Sequence, residues 1–258
     1  MIRRPPRFTL FLHDALPIYL HTLNSLLFRA SSNYDENLQT LLKLVEDTPK
    51  GSLVVAPEVC LTGFDYDNMD AMLDFADVAI PEIKKASQDK IIILTMMQRR
   101  DGEVFNFAKI FFNGEVVYER AKARLFRFGN EHQYMSEGSD EEIEIVKVDG
   151  VKIAILICFE MRFKELWRLT EGADVIATPS YWGVTRTENF KTITATLAVI
   201  NQCYVVASDL NNEDATKMSG IIAPMGKVLR NGNKPCLSVA YDKTEIKKMR
   251  RYMDVGIK

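Results

Sequence analysis

Short apolar runs alternate with amphipathic stretches along the chain from residue 19 onward. The stretch NYDENLQTLLKLVEDT places Leu38, Leu41 and Val45 at helical spacing behind Asn33, which predicts a helix with an asparagine N-cap. The runs SLVVAPE, KIIILTMMQRR, KIAILIC, ADVIATPS and CYVVASD are apolar at most of their positions. Such runs are typical of strands that are buried on both faces of a sheet.

The rest of the pattern predicts a layered α/β domain with a mixed sheet. MDAMLDFADVAIPEIKKASQ predicts a helix that breaks near Pro81, and ENFKTITATLAVINQ predicts another helix. VFNFAKIFFNGEVVYER predicts a hairpin that turns at Asn113 and Gly114. Strands that alternate with helices and hairpins favour this fold class. Because no linker or short-period repeat interrupts the pattern, we expect residues 19–258 to form a single domain.

The composition and net charge of the chain argue against several classes of binding partner. The chain has 258 residues and a formal net charge of -2 at pH 7, which provides no positive field for a nucleic acid. No apolar run reaches the roughly 18–20 residues of a membrane span. The four cysteines, Cys60, Cys158, Cys203 and Cys236, form no CxxC pair, which disfavours a zinc site or a dithiol motif. We therefore expect a reduced, cytoplasmic protein with no nucleic-acid or membrane partner.

The first 18 residues depart from the pattern of the rest of the chain. MIRRPPRFTLFLHDALPI superficially resembles a signal peptide, but Asp14 and Pro17 interrupt its apolar part and no A-x-A site follows. The segment closely resembles translated adaptor sequence. We therefore hypothesise that residues 1–18 are not native and that the natural chain begins near Tyr19. Resequencing the source gene across this junction tests the hypothesis.

Cys158 is a candidate for chemistry because it ends the apolar run KIAILIC at the point where an amphipathic segment begins. Free backbone N–H groups at the start of a helix would favour a thiolate there. A free cysteine is also often just a small buried hydrophobic residue. Histidine is the usual base for a cysteine nucleophile, and the candidates are His13, His21 and His132. No signature of a cysteine–histidine hydrolase surrounds Cys158.

Two further strand ends offer charged side chains. Glu58 ends SLVVAPE, where partial burial would raise the pKa of its carboxyl and suit it to general base catalysis, although a turn cap is an equal interpretation. Lys122 lies in the basic stretch YERAKARLFRF, which by itself is typical of a solvated face. If the three residues converge, Glu58 would accept the thiol proton and later activate water, Lys122 would stabilise a tetrahedral intermediate, and Cys158 would attack.

Three segments of the chain together resemble a known family. VVAPEVCLTGF, KARLFRFGNE and ILICFEMRFKEL are similar, in order and spacing, to the signature segments of the nitrilase superfamily, the carbon–nitrogen hydrolases. Accessory segments such as GADVIATPSYW and SGIIAPMGKVL also match, so the resemblance extends from Tyr19 to about Val239. It implies an α/β fold, the nitrilase-like four-layer αββα sandwich. It also implies a homodimer or higher homo-oligomer that uses no cofactor or metal.

The resemblance assigns roles to individual residues. The family's catalytic glutamate falls on Glu58, its lysine on Lys122 and its nucleophile on Cys158. An additional glutamate of the family, which helps to position the lysine and the substrate amide, falls on Glu131. The backbone N–H of Phe159 would join Lys122 in the oxyanion hole.

The resemblance also implies a substrate pocket and a reaction. Phe64 and Trp182 match positions that line the family's pocket, whereas Arg162 is expected to be structural rather than to bind a substrate carboxylate. The implied reaction is hydrolysis of a small-molecule amide through a cysteine thioester, with release of ammonia. LFRFGNEHQYMSEG and CFEMRFKELWRL look most like the omega-amidase branch. A carbamoyl-amino-acid or metabolite-repair amidase is an alternative, and so is a catalytically idle nitrilase-like scaffold.

Overall fold

The structure, a computed structural model, describes residues 20–257, and the segment 1–18 that we predict to be non-native lies outside them. Strands and helices alternate along these residues. The strands are β1 (Thr22–Phe28), β2 (Ser52–Val55), β3 (Lys90–Arg100), β4 (Glu103–Phe112), β5 (Glu115–Ala121), β6 (Val146–Val148), β7 (Val151–Ile155), β8 (Val175–Pro179), β9 (Tyr204–Leu210), β10 (Gly220–Ile222), β11 (Val228–Arg230) and β12 (Cys236–Ala240). The helices are α1 (Tyr34–Glu46), α2 (Met69–Ala86), α3 (Lys164–Leu169), α4 (Thr187–Asn201) and α5 (Lys243–Tyr252).

The strands form two mixed sheets. The first sheet has the order β5, β4, β3, β2, β1, β12, in which β1, β2 and β3 are parallel and the other pairs antiparallel. The second has the order β6, β7, β8, β9, β10, β11, in which β7, β8 and β9 are parallel. The sheets join where the last residues of β1, Leu27 and Phe28, pair with Asp209 and Leu210 of β9.

The side chains between the two sheets form the main core. Along β2, Leu53 and Val55 belong to this core, whereas Val54 between them belongs to a separate core on the opposite face of the sheet. Ile155 of β7 and Ala177 of β8 supply the same central core from the second sheet. The alternation along β2 follows from the two-residue period of a strand, and burial of both faces explains why the run is apolar throughout.

Helices cover the outer face of each sheet. Leu41 of α1 and Ile83 of α2 pack in the outer core that contains Val54. On the other side, α4 buries Phe190 and Leu197 in the core of the second sheet. The layers are therefore helix, sheet, sheet, helix, and the predicted αββα sandwich is confirmed. None of the described helices is long and apolar enough to cross a membrane.

Two local predictions have different outcomes. Asn113 and Gly114 adopt φ angles of 49° and 82°, the left-handed pair that a type I′ hairpin turn requires, so the hairpin between β4 and β5 is confirmed. The predicted break near Pro81 is wrong, because α2 continues through it. Ala79 and Ile83 on either side of the proline are fully buried. Tertiary packing of this face therefore outweighs the hydrogen bond that proline cannot donate.

Candidate active site

The three candidate catalytic residues come from the ends of three strands in two different sheets. Glu58 follows β2 and Lys122 follows β5, both in the first sheet, whereas Cys158 follows β7 in the second. The Nζ atom of Lys122 donates to Oε1 of Glu58 over 2.7 Å, and both side chains are essentially inaccessible to solvent. The fold thus brings Glu58 and Lys122 into contact, and Cys158 lies close enough for both charges to act on the pKa of its thiol.

Lys122 lies between two carboxylates. Besides Glu58, its Nζ atom donates to Oε1 of Glu131 over 2.8 Å, and the other oxygen of Glu131 accepts the Phe126 N–H over 2.8 Å. Oε1 of Glu58 also accepts from Nδ2 of Asn106 over 2.9 Å. Sequence reasoning missed Asn106, although an asparagine inside the otherwise apolar start of β4 was a usable signal. These contacts fix the ammonium group with little freedom to turn.

Both reactive segments contain a residue with a positive φ angle. Cys158 has φ of 45°, and Val59, directly after Glu58, has φ of 41°. Residues other than glycine rarely adopt this conformation, which costs on the order of 1–3 kcal/mol and persists only where neighbours hold it. The Val59 N–H is held by Oγ1 of Thr95 over 2.8 Å, and Sγ of Cys158 donates to the Tyr181 carbonyl over 3.6 Å. The tight turns aim the carboxylate and the thiol into one small space.

The surroundings of the thiol, above all its burial, favour the neutral form of Cys158. Burial raises the pKa of Cys158 well above its usual value and the negative charge of Glu58 raises it further, while Lys122 lowers it. The expectation of a helix-stabilised thiolate is therefore wrong. Only a 3₁₀ turn, Cys158–Arg162, follows the strand before the short α3 begins, so little helix dipole acts on the sulfur.

The two charged partners of the thiol have perturbed pKa values as well. Burial raises the pKa of the Glu58 carboxyl, although Lys122 acts in the opposite direction. Burial alone would lower the pKa of Lys122, but the carboxylates of Glu58 and Glu131 raise it above its usual value. Oε2 of Glu58 has no hydrogen-bond partner among residues 20–257 at normal geometry. A buried carboxylate with a raised pKa and a free oxygen beside a neutral thiol is equipped to act as a general base.

Cys158 lies in the wall of a small pocket that opens to solvent. Of the expected substrate-binding residues, Phe159 and Trp182 line this pocket. Phe64 lies to the side, with its ring centre 5.9 Å from Nζ of Lys122, and Glu131 contacts Lys122 rather than the pocket. The remaining lining residues are Phe126, Arg162, Tyr181 and Arg186.

Two arginines give the pocket a positive rim. The guanidinium of Arg186 lies 4.9 Å from the ring centre of Phe126, and that of Arg162 lies 4.7 Å from the ring centre of Trp182. Arg162 also donates to Oδ1 of Asn189 over 2.8 Å, yet its side chain stays exposed. In the described part of the chain neither arginine forms an ion pair. Arg162 therefore lines the pocket while it also contacts Trp182 and Asn189, and sequence reasoning did not single out Arg186.

The histidines lie away from the thiol. His21 and His132 are both exposed and neither borders the pocket, while His13 lies outside the described residues. A cysteine–histidine arrangement has no support from this geometry.

The fold and the site define a class of protein that comparison with known proteins identifies. The sequence profile of the carbon–nitrogen hydrolase family matches residues 23–251, and the chain belongs to this family. Among curated relatives, the 2-oxoglutaramate amidase of Bacillus subtilis (strain 168) is 32% identical over 212 residues, which cover 77% of this chain and 81% of the relative. The omega-amidase YafV of Escherichia coli (strain K12) is 26% identical over 200 residues, covering 75% and 77% of the two chains.

A solved structure supports the same assignment of fold. Saccharomyces cerevisiae Nit3, a member of branch 10 of the nitrilase superfamily, superposes with a TM-score of 0.79 at 21% sequence identity. The match covers 94% of this chain and 98% of that protein. The resemblance to the nitrilase superfamily is therefore confirmed.

Proposed function

We propose that this protein hydrolyses the terminal amide of a small carboxylate-bearing substrate through a Cys158 thioester, with Glu58 and Lys122 as the other catalytic residues. The observation that carries the proposal is the buried contact of Glu58 with Lys122 beside the Cys158 thiol, at a pocket lined by two arginines that form no ion pair within residues 20–257. The names of the relatives, 2-oxoglutaramate amidase and omega-amidase, support the same reaction.

The first half of the reaction forms the thioester. Because the pKa of Cys158 is raised, its proton moves to Glu58 as the sulfur attacks the amide carbon, rather than before. The carbonyl oxygen becomes an oxyanion, which the Lys122 ammonium stabilises together with the Phe159 N–H. When the carbon–nitrogen bond breaks, Glu58 gives the proton to the nitrogen and ammonia leaves.

The second half returns the enzyme to its starting state. Glu58, ionised again, takes a proton from water as the water oxygen attacks the thioester carbon. The carbon–sulfur bond then breaks, the acid is released, and Glu58 returns the proton to the Cys158 sulfur. Lys122 remains a cation throughout, since its raised pKa prevents it from losing a proton near neutral pH.

The substrate class follows from the size and charge of the pocket. Its small volume suits a short molecule, and its aromatic walls suit a flat carbon chain. A guanidinium can bind a carboxylate through two parallel hydrogen bonds, so Arg162 and Arg186 would recognise an acid group at the end opposite the amide. Monoamides of short dicarboxylic or keto acids, such as 2-oxoglutaramate and succinamate, have this shape.

The test measures ammonia release from 2-oxoglutaramate, succinamate, glutamine, a carbamoyl amino acid and the neutral amide propionamide. We expect release to depend on Cys158 and to be fastest with the two dicarboxylate monoamides. Preference for the carbamoyl amino acid would replace the proposed substrate class. Folded protein that releases no ammonia from any of these amides would instead support an idle scaffold.

We also propose a homodimer in the cytoplasm. Val199 and Ile200 of α4 are exposed to 39% and 58%, which supports burial of this helix face against a second copy. The four cysteines are unpaired thiols, which suits a reducing compartment. Light scattering on the purified chain, with Ile200→Asp as the variant expected to dissociate, tests the dimer.

A further inference from the structure

A second buried ion pair lies directly beside the catalytic cluster. Arg120, near the end of β5, and Glu160, two residues after Cys158, both have side chains with no solvent exposure. Their groups meet in two parallel hydrogen bonds, from Nη1 to Oε1 over 2.8 Å and from Nη2 to Oε2 over 2.5 Å. This is the most rigid geometry available to an arginine and a carboxylate.

The same carboxylate holds the backbone next to two catalytic residues. Oε1 of Glu160 accepts the N–H of Ala123, which follows Lys122, over 2.6 Å. Oε2 accepts the N–H of Ile157, which precedes Cys158, over 2.6 Å. Each oxygen therefore has one guanidinium donor and one backbone donor. A single side chain connects the segment that carries the lysine to the segment that carries the nucleophile.

The connection crosses from one sheet to the other. Arg120 donates through Nη2 to the Ile155 carbonyl at the end of β7 over 2.8 Å, and through Nη1 to the Ala121 carbonyl over 3.0 Å. β5 and β7 lie in different sheets and share no ladder of backbone hydrogen bonds. Strand pairing alone therefore does not set the distance between Lys122 and Cys158, whereas directional bonds to Arg120 do.

The pair also stabilises the unusual backbone of the nucleophile. The Glu160 N–H donates to the Ile157 carbonyl over 2.9 Å, while the Glu160 side chain accepts the Ile157 N–H. These two bonds close a ring around Cys158, whose φ angle is 45°. A strained conformation of this kind persists only where the surroundings determine it.

We propose that Arg120 and Glu160 are positioning residues that hold Lys122 and Cys158 at their working separation across the two sheets. The proposal rests on the proposed amide hydrolysis for its kinetic consequences. A buried ion pair adds little stability relative to apolar side chains of the same volume, so the geometry that it fixes is the better account of its presence. Neither residue touches the pocket, and the pair acts through its neighbours.

The experiment compares Glu160→Gln and Arg120→Lys with the parent protein. Glu160→Gln keeps the volume but turns one acceptor into a donor, and Arg120→Lys keeps the charge but loses the parallel bonds. We expect kcat for 2-oxoglutaramate to fall about 100-fold in the first and about tenfold in the second, with KM within about threefold, because small misplacement of reacting groups affects kcat most. The rate at which iodoacetamide alkylates Cys158, followed by mass spectrometry, should fall in parallel.

The matched control is Glu119→Gln. Glu119 lies on the same strand and pairs with the buried Lys109, away from the pocket. This variant should keep kcat and the alkylation rate within about twofold of the parent, because neither Glu119 nor Lys109 lines the pocket. If folded Glu160→Gln and Arg120→Lys behave like Glu119→Gln, the pair is merely structural and the proposal is overturned. Should Glu160→Gln not fold, Arg120→Lys decides alone.

The two readouts separate this proposal from the proposed function. Alkylation needs no substrate. If the parent releases no ammonia from any amide tested but the two variants still slow alkylation of Cys158, the amidase assignment fails and the positioning role stands. If the parent is an amidase and neither kcat nor alkylation changes in the variants, the positioning role alone fails.

Discussion

Two buried ion pairs near the end of β5 differ in how completely their carboxylates are bonded. Glu160 accepts four hydrogen bonds, two of them from Arg120, and both of its oxygens are satisfied. Glu58 accepts on Oε1 from Lys122 and Asn106, while Oε2 has no partner of normal geometry in the described residues. Arg120 and Lys122 are only two residues apart in sequence. The Arg120–Glu160 pair is nevertheless fully hydrogen-bonded, whereas the Lys122–Glu58 pair leaves one carboxylate oxygen without a partner in the described residues.

The difference explains why one pair can perform chemistry and the other can only hold geometry. A carboxylate whose two oxygens each accept two hydrogen bonds is fixed in orientation and has no oxygen available to another group, so Glu160 can only hold geometry. The free oxygen and raised pKa of Glu58 allow it to take a proton from the thiol and return it.

Removal of the nucleophile should have the greatest effect. We expect Cys158→Ala to lower kcat for 2-oxoglutaramate at least about 10⁴-fold, as loss of a covalent nucleophile does in other hydrolases. The control is Cys203→Ala, since Cys203 is equally buried but does not border the pocket. It should stay within about threefold of the parent per folded molecule. Equal losses in the two variants would show that no thioester forms.

Substitutions in the Glu58–Lys122 pair should affect activity and stability to different extents. Glu58→Gln removes the base and should lower kcat about 10³-fold. Lys122→Met should also abolish activity and lower the free energy of unfolding by about 3–5 kcal/mol, because it leaves Glu58 and Glu131 buried without their cation. Urea denaturation monitored by circular dichroism measures the second quantity. A Lys122→Met variant as stable as the parent would mean that water reaches the carboxylates.

Changes to the pocket rim should affect substrate choice rather than chemistry. Arg186→Gln should raise KM for succinamate about tenfold, the value of one charge-assisted hydrogen bond, and leave hydrolysis of propionamide unchanged. Arg168→Gln removes an exposed arginine from α3, outside the pocket, and serves as the control. Steady-state kinetics with both substrates decide the matter. An equal effect of Arg186→Gln on the neutral amide would rule out carboxylate recognition by this residue.

The smallest effect that we expect is a shift in the pH dependence of kcat/KM. Activity requires ionised Glu58, whose pKa lies above the usual glutamate value, so kcat/KM should fall on the acid side at a higher pH than for an ordinary carboxylate. Asn106 donates to the ionised form, and Asn106→Ala should therefore shift this acid limb to still higher pH. No alkaline loss from Lys122 is expected near neutral pH, because the pKa of Lys122 is raised. A shift of the limb to lower pH in Asn106→Ala would contradict this account of Glu58.

Local sequence was sufficient for the features that depend on neighbours along the chain. The buried strands, the turn at Asn113 and Gly114, and the strand-end positions of Glu58, Lys122 and Cys158 could all be predicted, because periodicity and turn chemistry act over a few residues. The resemblance of three short segments then supplied the four-layer sandwich. Pro81 was the exception, since packing of α2 on the sheet outweighed a strong local signal.

Other features could be identified only from the tertiary structure. The structure brings together polar side chains that lie far apart in sequence: Asn106 contacts Glu58, Arg120 contacts Glu160, and Arg186 lines the pocket beside Cys158. No local pattern in the sequence predicts which polar side chains will meet. The pKa of Cys158 is the clearest case. Its position after a strand predicted a stabilised thiolate, but burial and the Glu58 charge reversed the direction. Charge effects depend on distance through space and on the exclusion of water, and both quantities are set when the two sheets close on each other.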